Sequence, residues 1–93
     1  MRHIANLALI SYLARYNETR ARVMECKANR FALHSQRTLE AFSESADVEV
    51  RRACIKLVHR HNDSALSFIR TSEAYAAKAE HLRVTYRALQ RAC

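Results

Sequence analysis

Glycine and proline are both absent from these 93 residues. Without glycine no residue enters left-handed backbone free of steric cost, and without proline none presets a turn. That removes the usual punctuation of β-hairpins, bulges and helix C-caps, so a β-rich fold is not expected. Cysteine is sparse. Cys26, Cys54 and Cys93 are odd in number and have no CxxC spacing, which argues against a disulfide framework and for a reducing compartment, here expected to be the cytoplasm. No apolar run approaches the length of a membrane-spanning helix. Arg2 followed by Ile4 to Ala14 looks like the charged and apolar parts of a leader. Asn6, Ser11 and Tyr12 interrupt it, however, and its apolar positions continue as a helical stripe past Arg15. It therefore reads as the first turns of the folded protein.

Carboxylates are the other shortage. Nine acidic residues face sixteen lysines and arginines, for a net charge of +7 and a pI near 9.9. Such a balance favours acidic partners: nucleic acid, an anionic membrane face or an acidic protein surface. The apolar fraction of 49% and charged fraction of 27% are those of an ordinary globular protein, and the length suits one small domain over 1–93. Alanine, leucine, arginine and glutamate, all good helix formers, dominate.

Small residues recur every seven positions: Ala14, Ala21, Ala28 and Ser35, then Ala65, Ser72 and Ala79. Larger ones fall between them, with Ile10, Met24 and Phe31 in the first half and Phe68, Tyr75 and Leu82 in the second. Only Ser43–Asp47 breaks the pattern, and its serines and aspartate suit a turn and the start of a helix. The expected organisation is a helix over 2–42, a turn over 43–47 and a helix over 48–92, with arms roughly 60 Å long at 1.5 Å per residue. Breaks at Asn17–Thr19 or at Asn62–Ser64, the latter giving a three-helix bundle, are the alternatives. The heptad register runs through both sites without a slip, which favours two long helices.

Folding the arms back at the break sets Ala28 against Ala65, Ala21 against Ser72 and Ala14 against Ala79. The layers between become Phe31 with His61, Met24 with Phe68, Asn17 with Tyr75 and Ile10 with Leu82. Small layers let the helix axes approach and large layers fill the space on either side. The expected fold is thus all-α, an antiparallel two-helix hairpin with a coiled-coil-like, alanine-rich seam. Leu9, Leu13, Tyr16 and Val23 form a second stripe on the first helix, and Ile55, Leu66, Ile69 and Val84 lie off the seam of the second. A lone hairpin cannot bury them, so dimerisation into a four-helix bundle or a protein partner is expected.

Residues with chemistry do not assemble into a site. His59 and His61 are two apart and diverge on a helix, no HExxH pattern occurs, and no metal or cofactor is expected. There is no glycine-rich phosphate loop, no nucleophile elbow and no carboxylate pair in the body of the hairpin, so an enzyme is not expected. One basic patch stands out: Arg52, Lys56, His59 and Arg60 at helical spacing, with Arg30, His34 and Arg37 brought alongside by the fold-back.

The function expected from these features is a non-enzymatic regulator, adaptor or inhibitor that binds another protein through Leu9, Leu13, Tyr16 and Val23. Its basic residues would steer a partner with an acidic surface, and the protein would be a homodimer. A nucleic-acid-binding protein using Arg30, His34, Arg37, Arg52, Lys56 and Arg60 is one alternative. A coiled-coil assembly or secretion-chaperone-type subunit is the other.

Overall fold

The computed structural model describes residues 2–92 and consists of two long helices, α1 (Arg2–Phe42) and α2 (Val48–Ala92). Among these residues there is no strand, and the chain is a two-helix hairpin. α2 runs unbroken through Asn62, Asp63 and Ser64, so the three-helix alternative is not adopted; α1 likewise continues through Asn17–Thr19. Three polar residues in a row weaken a helix by only tenths of a kcal/mol each, which packing of the opposite face outweighs.

The turn is made without any left-handed residue. Ser43 N–H still reaches the Leu39 carbonyl (3.0 Å), and Ser45 N–H bonds the Phe42 carbonyl (3.1 Å). Asp47 then caps α2: its Oδ1 accepts from Glu49 N–H at 2.9 Å, while Ser45 Oγ accepts from Asp47 N–H at 3.3 Å. Glu49 in the first turn and Arg91 in the last complement the α2 dipole, whereas α1 has no acidic residue in its first turn and no basic residue in its last.

Two units can be described. One joins α1 up to Val23 with α2 from Thr71 onward; the other is Met24–Arg70. In the first, Ala14, Ala21 and Ala79 are buried, and Ser72 Oγ donates to the Ala21 carbonyl at 2.8 Å. That bond puts Ser72 opposite Ala21, as the fold-back requires. Asn17 is also buried, but its amide donates to the Leu13 carbonyl of its own helix (2.8 Å) rather than across the seam.

The second unit buries Met24, Ala28, Ser35, Cys54, Val58 and Ala65. Phe31 lies 6.0 Å from the His61 ring, confirming that layer, and also stacks on Phe68 at 5.6 Å and 15°. Nearer the turn, Cys54 Sγ approaches the Thr38 carbonyl at 3.5 Å. Cys26 is exposed and Cys54 buried; Cys93 lies outside the described residues. The buried set is dominated by small side chains, with Met24 its largest apolar member. Burial of that kind leaves little apolar area out of water per residue, which makes the remaining apolar surface of each unit important.

Candidate interaction surfaces

In the first unit, Leu9 (56% exposed), Leu13 (37%) and Tyr16 (50%) stand out from α1, while Val23 is half-buried. The spacing of Leu9, Leu13 and Tyr16 is four then three, which keeps them on one face. Arg20 occupies the next place in that row and Val23 the one after it. The row is therefore a second seam with a guanidinium in an apolar series.

The guanidinium of Arg20 sits 5.8 Å from the centre of the Tyr75 ring of α2, and Lys78 Nζ approaches the same ring at 5.9 Å. Both cations use the electron-rich face or rim of the phenol as a partial counter-charge. Arg20 Nε is buried and has no hydrogen-bond partner among the described residues. An open, almost wholly apolar groove of about 430 Å³ adjoins them, lined by Asn17, Ala77, Lys78, His81 and Leu82. Asn17 is tied to Leu13 by its side-chain hydrogen bond, so groove and stripe share a border.

A different cleft of the same unit holds the carboxylates. Glu18, Ala21, Arg22, Ala76, Ala79 and Glu80 line it. There Glu18 Oε1 accepts a charge-assisted bond from Arg83 Nε at 2.5 Å, and Glu80 lies 3.5 Å from Arg87. The Arg83 hydrogen bond is the main cause holding the Glu18 carboxyl below its ordinary range; desolvation opposes it, and the charges of Arg83, Arg22 and Arg15 add to the lowering. The same bond raises Arg83. Charge is thus sorted by flank: Glu18 and Glu80 with their arginine partners on one, and on the other apolar side chains with the cations Arg20 and Lys78, which have no carboxylate partner among the described residues.

In the second unit the basic residues Arg30, His34, Arg37, Arg52, Lys56 and Arg60 are all exposed. Arg30, His34 and Arg37 share a face of α1, and the His34 ring lies 5.7 Å from that of His61 and 6.5 Å from Phe31. Arg52, Lys56 and Arg60 are spaced by fours, and each step of four turns the row by about 40° around the helix. The row therefore winds across the outer face of α2. Of the three, Arg60 lies nearest in angle to His61, while Arg52 is 3.6 Å from Glu49 at the helix start. Arg30, His34, Arg37 and Arg60 make the tighter group.

The second unit also exposes Ile55 (55%), Leu66 (50%) and Ile69 (41%). With His59 and Asn62 they form another row of alternating four and three spacing along α2. Near the turn an open apolar pocket of about 240 Å³ is lined by Thr38, Phe42, Val50, Ala53, Cys54 and Leu57. Among the described residues no three histidines, cysteines or carboxylates gather as a metal site would need, and no helix is long and apolar enough to cross a membrane.

Sequence reading found the stripe but not the Arg20–Tyr75–Lys78 trio. The signal was present: Arg20 keeps the four-three spacing of Leu9, Leu13 and Tyr16, and Lys78 is one turn from Tyr75. What the sequence withheld was that both cations lean on a single ring from different helices. Comparisons of the chain with protein-family models, with curated proteins and with solved structures find no match.

Proposed function

We propose that this protein is a non-enzymatic helical hairpin that acts by binding another protein, as a regulator, adaptor or inhibitor in the cytoplasm. The observation that carries this reading is the exposed row Leu9, Leu13 and Tyr16 beside an apolar groove. Large apolar side chains spaced by four and three are what a helix presents to a partner helix or groove. These side chains are already about half-buried, so covering the rest of each stabilises a complex by roughly 1 kcal/mol before ordering costs.

The test is affinity capture from the native host with the intact protein and with a Leu13→Asp, Tyr16→Asp variant, each with and without nuclease. A protein captured by the intact chain, lost with the variant and unaffected by nuclease supports the reading, provided that circular dichroism shows the variant still helical. Capture that survives both aspartates removes the stripe from consideration.

A homodimer belongs to the proposal as well, through Ile55, Leu66 and Ile69. Their row is completed by His59 and Asn62 and is free of fixed charge, which suits a second copy of the same surface. Nucleic-acid binding is the second reading, favoured by the grouping of Arg30, His34, Arg37 and Arg60. Capture that disappears with nuclease would select it.

A further inference from the structure

We propose that the cationic flank of the first unit receives an acidic amphipathic helix of another protein, an apolar stripe bordered by glutamate or aspartate. This rests on the protein-binding reading above and names the chemistry of its partner. The row from Leu9 to Val23 is about 20 Å long, the reach of four helical turns, so it matches a helix rather than a loop tip. Its apolar members supply contact area, and the groove beside Asn17 and Leu82 has room for a side chain of the incoming helix.

Charge selects the partner. Lys78 and His81 stand at the groove and Arg20 stands in the row, while Glu18 and Glu80 line the other cleft, each with its own arginine. Arg20 has no carboxylate partner among the described residues and its Nε has no acceptor, so an incoming carboxylate offsets the charge of the guanidinium where an apolar or basic group cannot. The Tyr75 ring holds Arg20 and Lys78 close together before any partner arrives, so little side-chain entropy is lost on pairing.

A second copy of this chain is a poor occupant of the same face. Docking through the same face, it would bring cation to cation, while Glu18 and Glu80 stay in the other cleft with their own arginines. The uncharged row of Ile55, Leu66 and Ile69 carries no such conflict.

The test is selection of binders by the full chain from a displayed library of ~20-residue helices. Their apolar stripe is fixed at four-three spacing, and the bordering positions vary between Glu and Lys. Enrichment of Glu-bordered helices is expected, with binding of a selected clone weakened roughly tenfold by Arg20→Gln with Lys78→Gln. Reversal to Lys-bordered helices is expected with Arg20→Glu and Lys78→Glu. Circular dichroism and thermal melting establish that each variant is folded before it is used.

Enrichment without charge preference, lost with Leu13→Asp, overturns the acidic partner and leaves the protein-binding stripe standing. A dimer in sedimentation that Leu13→Asp converts to monomer also overturns the proposal, because the face is then filled by a second copy. Failure to enrich any helix over the Leu13→Asp chain overturns the proposal and counts against the stripe itself.

Discussion

Ala28 is only 3% exposed and Ala14 only 1%, yet neither fills much volume; their contribution is the close approach of backbone that a larger side chain would prevent. Replacing Ala28 by leucine adds apolar area but has no cavity to enter, so overpacking dominates. The expected cost is about 1–3 kcal/mol, read as a lower denaturation midpoint with helicity retained at low temperature. Glu18 is a different kind of residue, since its exposure to water is substantial and its role is electrostatic. Its folded-state acidity is stronger than in the unfolded chain, so its contribution is fully present above the ordinary carboxylate range. It is lost as pH falls through the depressed folded value. The melting temperatures of the wild type and of Glu18→Gln should therefore differ near neutrality and converge under acid, and the gap should shrink with added salt because the pair is partly solvated.

At the scale of the element, α2 is the better terminated helix and α1 the worse. Asp47 satisfies one orphan donor directly, and Glu49 and Arg91 complement the dipole. Asp47→Ala should cost about 1 kcal/mol and loosen the start of α2, seen as faster amide exchange at Glu49 than at residues in mid-helix. Helix bounds were legible from Ser43–Asp47 because serine and aspartate compete locally for backbone donors, and no other segment both gathers them and breaks the heptad. The continuity of α2 across Asn62–Ser64 was less legible, because polar composition there signals a loop whereas register signals a helix. Register won, since Ala65 and His61 both take their places on the seam side while Asn62 and Asp63 remain exposed.

For the molecule as a whole, the question is which apolar surface is left in water by two helices that bury mostly alanine, serine and cysteine. The row Ile55, Leu66 and Ile69 is the proposed dimer contact. Leu66→Asp with Ile69→Asp should convert a dimer to a monomer in analytical ultracentrifugation while far-UV circular dichroism still reports helix. A wild-type chain that sediments as a monomer at high concentration would remove the four-helix bundle from the account. The basic residues of the second unit were visible in the sequence as a group of six. The grouping of four of them, Arg30, His34, Arg37 and Arg60, apart from Lys56 and from an Arg52 near Glu49, follows from helix pitch together with the observed contacts.

What the sequence determined by itself is the class and register of the fold. The absence of glycine and proline leaves helix as the default, and a period of seven in the small residues together with the turn at Ser43–Asp47 selects one antiparallel alignment, because a smaller shift would set large side chains where the backbones approach closely and a whole-heptad shift would not fit the turn. Tertiary structure alone decided how polar and charged groups were disposed around that seam. Asn17 turned its amide back to Leu13, Glu18 was drawn to Arg83, and Arg20 and Lys78 met over one tyrosine. The physical reason is reach. Apolar burial is set by spacing along the chain, which a sequence displays, but long charged side chains choose among several neighbours within a few ångströms, and only the folded arrangement shows which ones are there.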